Sequence, residues 1–176
     1  TGYIYAAWKG QIAYSTPNFN GFQATVAITN PNQGIDLSGT SGATTALYQD
    51  RHGLEGKASY SFSADAVSGK LWVSGASYDV TTSATTNTGY TATVADIGLN
   101  LNAGNVGLTG YYYKGEGVGT TLLGSEGVDS SNNKRDSDGG YLQAIYKLPT
   151  ATKIGLAYGV SKLDKANSSD TTALVS

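Results

Sequence analysis

Apolar and polar residues alternate along this chain in steps of two. From Asp96 to Asn102, Ile97, Leu99 and Leu101 fall on one side, and Asp96, Gly98, Asn100 and Asn102 on the other. Successive side chains of a β-strand face opposite ways, so such a run has one apolar and one polar face. The same beat sets Leu142, Ala144, Tyr146 and Leu148 against Tyr141, Gln143 and Lys147. It sets Ile154, Leu156, Tyr158 and Val160 against Gly155, Ala157, Gly159 and Ser161. The alternation and the turn signals between runs predict about eight strands. Their spans are Ala6 to Ser15, Gly21 to Thr29, His52 to Phe62, Lys70 to Asp79, Ala92 to Asn102, Val106 to Lys114, Gly139 to Leu148 and Lys153 to Lys162. Each holds about ten residues, the length that a tilted membrane-crossing strand needs and more than most soluble strands have.

The connections alternate in length. Thr16 to Asn20, Ser63 to Gly69, Ala103 to Asn105 and Pro149 to Thr152 are short and carry the turn formers Pro, Gly, Asn and Asp. Asn30 to Arg51, Thr81 to Thr91 and Gly115 to Asp138 are long and polar, as is the tail from Leu163 to Ser176. Short turns at one end and long loops at the other is the asymmetry of an outer-membrane barrel, with the long loops outside the cell. Consecutive hairpins imply a meander. The expected fold is all-β: a transmembrane antiparallel β-barrel meander, with residues 1–176 forming a single segment of that barrel.

Composition agrees with a thin wall. Of 176 residues, 24 are Gly and 13 Tyr, with no Cys or Met, and only 39% are hydrophobic. A soluble domain usually carries more large aliphatics and more charge. The net charge of -2, with no basic run, does not point to nucleic acid. No apolar stretch approaches the length of a membrane-spanning helix.

On a barrel wall the polar face meets water, because polar groups are costly against lipid. With Ile12 and Tyr14 outward, Lys9, Gln11 and Ala13 point inward; with Ala24, Val26 and Ile28 outward, Gln23, Thr25 and Thr29 do. Outward Leu54, Ala58, Tyr60 and Phe62 leave Glu55, Lys57, Ser59 and Ser61 inside. Asp96, Asn100, Gln143 and Lys147 follow the same rule. The pore-lining candidates are therefore Lys9, Gln11, Gln23, Thr25, Glu55, Lys57, Asp96, Asn100, Gln143 and Lys147. Inward Gly107, Gly155, Ala157 and Gly159 are too small to fill a narrow barrel, which favours a wide, watery one, though Tyr111 and Tyr113 also point inward. The run from Lys70 to Asp79 fits either phase: Leu71, Val73 and Gly75 outward, or Trp72, Ala76 and Tyr78. Trp8, Trp72, Tyr78, Tyr90 and Tyr112 lie near predicted strand ends and are candidates for interfacial aromatic girdles.

Catalytic chemistry is nearly absent from the sequence. One His and no Cys build no Cys/His pair or zinc cluster, and His52 reads as an exposed strand-end residue. The Gly-rich runs at 115–119 and 124–127 are not followed by a helix pattern that would hold a phosphate. Asp129 to Asp138 has the acidic spacing of a calcium loop but lacks its central Gly and terminal Glu, and includes Lys134 and Arg135. No enzyme, metal site or cofactor is expected.

Residues 9–27, KGQIAYSTPNFNGFQATVA, resemble the strand, Ser-Pro-x-Phe-x-Gly-Phe turn and return strand of trimeric Gram-negative general porins. Residues 140–148, GYLQAIYKL, followed by 153–159, KIGLAYG, are similar to a later hairpin of that family. The resemblance implies an outer-membrane porin for passive diffusion of small hydrophilic solutes and ions, embedded among outer-membrane lipids as a homotrimer. Whole porins of that family are about twice as long, with roughly 16 strands. They begin with a strand before a constriction loop and end on a closing aromatic residue. The resemblance therefore implies the middle or later half of such a barrel, with the constriction loop outside this chain. Two other readings remain open from the residues: a complete, plugged eight-stranded barrel acting as an adhesin or envelope anchor, and a soluble all-β binding module.

Overall fold

The computed structural model describes residues 10–30, 51–83, 88–120, 127–128, 133–150 and 152–164; within these, the side chains of 81–83 and 88 are not described. The strands are β1 (Gln11–Ser15), β2 (Phe22–Thr29), β3 (Gly53–Ala64), β4 (Val67–Ser83), β5 (Thr88–Ala103), β6 (Val106–Glu116), β7 (Asp136–Lys147) and β8 (Lys153–Leu163). They form one antiparallel sheet in the order β1 to β8, each strand beside its sequence neighbours. No helix occurs among the described residues. Nor is β1 paired with β8 there, so the outer edges of these two strands carry no described partner strand.

Short turns hold the register at one end. Asn18 Oδ1 accepts the Gly21 N–H at 2.7 Å, and Gly21 has φ 92°. Only glycine fits there: an added Cβ would fall 2.0 Å from the Ser61 carbonyl oxygen. Gly104, at φ 55°, sits in the two-residue turn between β5 and β6, where left-handed residues match the twist of the flanking strands. The expected turn from Ser63 to Gly69 is tighter than its sequence implies. β3 runs to Ala64 and β4 starts at Val67, leaving Asp65 and Ala66 as the turn.

At the other end, two connections differ from expectation. The stretch from Thr81 to Thr91 is mostly strand: β4 and β5 pair through Val80 with Tyr90 and Thr81 with Gly89, with an irregularity before Ser83 pairs with Thr88. Threonines at 81, 82, 88 and 91 are polar enough to read as loop, yet β-branched and at home in a strand. The connection after β6 does not simply leave the sheet. Gly117 to Thr120 are buried, and Val118, fully buried, joins Val80 and Ala92 in a small core with Tyr90 and Val94 packed against it. Gly117 N–H donates to the Arg135 carbonyl at 2.9 Å, and Arg135 N–H to the Gly127 carbonyl at 2.8 Å. The chain thus turns back over the face that carries Val80, Ala92 and Val94. The loop core from residue 31 to 50 and the tail beyond Asp164 lie outside the described residues.

Candidate functional site: the polar face of the sheet

Directly paired residues share a face, so the register sorts every strand residue. One face carries Ile12, Tyr14, Val26, Ile28, Leu54, Tyr60, Leu71, Val73, Ile97, Leu99, Leu108, Leu142, Leu156 and Tyr158. These are large and exposed, up to 83% for Ile12 and 81% for Leu156. A continuous exposed apolar surface of this extent is not that of a soluble monomer. Strand β4 takes one of its two possible phases: Leu71, Val73 and Gly75 are on the apolar face, and Trp72, Ala76 and Tyr78 on the other.

That phase corrects the expected girdle. Trp72, Tyr78 and Tyr90 lie on the polar face and are not placed to meet an interface from the apolar side. Trp8 lies outside the described residues, and Tyr112 alone of the five is on the apolar face. The apolar-face aromatics next to the short turns are instead Phe22, which opens β2, Tyr60 and Phe62 near the end of β3, and Tyr146 near the end of β7. Tyr60 and Phe62 stack at 6.3 Å between ring centroids.

The polar face gathers the candidates. Gln11, Gln23, Thr25, Glu55, Lys57, Asp96, Asn100, Gln143 and Lys147 all lie on it; Lys9 is outside the described residues. Gln11, Lys57 and Lys147 are exposed and the others half-buried. A hollow of about 350 Å³ lies against β1 to β5, lined by Gln11, Thr25, Glu55, Lys57, Ser74 and Asp96 among others. Thr25, Lys57, Ser74 and Asp96 are successive partners across four strands, so ammonium, hydroxyl and carboxylate lie in one row. The Ser74 hydroxyl donates to Asp96 Oδ2, while Asp96 Oδ1 is buried without a hydrogen-bond partner. Tyr78 OH donates to Glu55 Oε1 at 2.5 Å. Nearer the short turns, Asn100 Nδ2 donates to Thr109 Oγ1 at 2.8 Å and Asn102 Nδ2 to Asn100 Oδ1 at 2.7 Å. Gln23 Nε2 reaches the Thr16 carbonyl at 3.2 Å.

Sequence alternation alone does not identify several residues that stand beside these candidates. Ser74 and Trp72 sit in the strand whose phase the pattern leaves open, and only their pairing to Asp96 and Gly98 settles it. The covering by Gly117 to Thr120 has a weaker signal in the chain: Gly115, Gly117 and Gly119 alternate there, with φ of 75° and 73° at the latter two. An added Cβ at Gly115 would fall 2.5 Å from Val118 Cγ2.

Charge marks the long-loop end. Lys114, Asp138 and Lys162 are paired in one row on the apolar-face side, where the large apolar residues stop. Asp79, on the same side, accepts from Thr91 Oγ1 at 2.7 Å and meets Arg51 at 3.5 Å. Lys134 pairs with Glu116 at 2.8 Å. The calcium-like run is therefore tied through Lys134 to Glu116 at the end of β6, and residues 129–132 lie outside the described set. No group of three or more His, Asp or Glu suited to a metal occurs among the described residues. No described helix is long and apolar enough to cross a membrane, which has no bearing on strands.

A family model described as Gram-negative porin matches residues 1–175. No curated protein and no solved structure matches the chain.

Proposed function

The chain belongs to the Gram-negative porin family, and on that premise we propose that its polar face lines a water-filled channel for passive diffusion of small hydrophilic solutes and ions. Membership implies a channel protein of the outer membrane rather than an enzyme. The observation that carries the finer reading is the clean division of one eight-stranded meander into an exposed apolar face and a hydrogen-bonded polar one. Lipid takes the first face and water the second. Lys9, Gln11, Gln23, Thr25, Glu55, Lys57, Asp96, Asn100, Gln143 and Lys147 are the proposed wall, each strand crossing the bilayer once. Fixed charge on the wall biases which ions pass, by attraction at close range in a confined pore.

The outer edges of β1 and β8 support a larger barrel. Unpaired backbone groups facing hydrocarbon each cost several kcal/mol, so further strands close the ring in this reading. Residues 1–176 are then one segment of a barrel of roughly 16 strands. A homotrimer is the assembly we propose for it. Planar-bilayer recording of the full-length protein tests the channel. An ohmic current that scales with bulk salt conductivity is expected; a protein that inserts and passes almost no current is a plugged barrel, and the reading fails.

A further inference from the structure

We propose that the polar face carries a carbohydrate-binding shelf built on the rings of Trp72, Tyr111 and Tyr141. This rests on the reading of that face as a channel wall. Trp72, Gly98, Tyr111 and Tyr141 are successive partners in one register row, from β4 through β5 and β6 to β7. Three strand spacings make that row about 14 Å long. The gap at Gly98 is filled from the side: the six-membered ring of Trp72 lies over it, and an added Cβ would sit 2.0 Å from Trp72 Cζ2. Tyr111 and Tyr141 follow at 5.5 Å between ring centroids, tilted by 31°. All three are half-buried, so each keeps surface toward the wetted side. Tyr113 backs the row: it is buried, 6.3 Å from Tyr111, and hydrogen-bonded to Ser161 at 2.5 Å.

A wall that passes only hydrated ions gains nothing from aromatic surface on its water side. A solute with an apolar face and a polar rim does, because it stacks on the rings and hydrogen-bonds around them. The flanks supply the partners. The neighbouring row toward the short turns holds Lys70, Asn100, Thr109 and Gln143. The row on the other side holds Lys57, Ser74 and Asp96. A pyranose has the matching surface: C–H groups on its face and hydroxyls around its edge. The length of the row suits an oligosaccharide over a single ring. Aromatic faces also attract cations, but Lys57 and Lys70 outnumber Asp96 in the flanking rows and disfavour a cationic occupant.

The test is blockade of ion current through the full-length protein by maltotriose, with tetraethylammonium as a cationic comparison. Maltotriose should block in a concentration-dependent way. Trp72→Ala and Tyr111→Ala should each raise the half-blocking concentration roughly two- to tenfold, as expected for losing one aromatic contact. Tyr111→Phe should stay near the parent, and the unblocked conductance of each variant reports that it has folded and inserted. Tyr141→Leu serves the same purpose where Tyr111→Ala does not insert. No current from the parent protein overturns the channel reading and the shelf with it. A current that maltotriose leaves untouched, or blocks equally in all variants, overturns the shelf alone. Preferential block by tetraethylammonium that is lost in Tyr111→Ala also overturns it, in favour of a cation site.

Discussion

Adjacent residues in β5 have opposite solvents. Leu99 pairs with Leu71 on the apolar face, while Asn100, one step on, bonds Thr109 on the polar face. An Arg on the lipid face costs about 2–4 kcal/mol near the bilayer midplane and close to nothing at the interfaces. Leu99→Arg should therefore lower folding stability in a denaturant titration of the full-length protein. Asn100→Arg, hydrated on the water side, should cost far less and shift the reversal potential toward anions. Equal losses from the two would mean that the faces are assigned wrongly. The phase at these two positions was legible in the sequence, because Ile97, Leu99 and Leu101 are all large and their neighbours all small or polar. At Trp72 it was not: large residues stand on both faces there, Leu71 and Val73 against Trp72 and Tyr78. A pattern of sizes carries no phase when both faces are large, and only the neighbour across the ladder decides it. Glycine at 98 is that neighbour's signature, since it leaves room for the indole. Gly98→Val should push Trp72 from its place and change tryptophan fluorescence without removing the strand; an unchanged spectrum would show that the ring does not depend on that space.

At the level of elements, the ladder reaches further than alternation alone indicates. β4 and β5 gain pairs from Val80 to Ser83, where polar threonines hide strand in a loop-like composition. The cover formed after β6 is also invisible to a period-two reading, because it depends on Val118 meeting Val80 and Ala92 from another part of the chain. The exposed loop expected from Gly115 onward is thus corrected at its start, where Gly117 to Thr120 are buried. Burying a valine side chain is worth about 1.5–3 kcal/mol. Val118→Asp places a carboxylate in that apolar contact and should detach the segment from the wall. Two readings follow: faster proteolysis at Arg135, and a larger single-channel conductance if the segment narrows the path. Unchanged proteolysis would show that Val118 does not hold the segment down. The aromatic belt is not legible in the sequence, since nearness to a strand end says nothing about which face a ring occupies.

Across the whole molecule, the apolar face has the height of a membrane. From Val67 to Ser77, β4 climbs ten steps, about 33 Å along the strand and about 25 Å at a tilt near 40°. It is bordered by Phe62 and Tyr146 next to the short turns and by Asp79, Lys114, Asp138 and Lys162 at the other end. Those charges belong to the outer interface in the proposed orientation. An epitope inserted at Gly104 should stay unlabelled on intact cells, and one inserted after Asn133 should be labelled; the reverse result would invert the orientation. The polar face as the wall of a conducting pore is directly measurable, because residues 1–176 carry no cysteine and any cysteine elsewhere in the full-length protein is first replaced by serine. Cysteine is placed singly at Leu99 and at Asn100 in the full-length protein, and each variant is recorded in a planar bilayer while a charged, membrane-impermeant methanethiosulfonate reagent is added. Asn100→Cys should lose current in discrete steps on modification, and Leu99→Cys should not respond. Loss of current in Leu99→Cys with none in Asn100→Cys, or no response in either, would contradict the account.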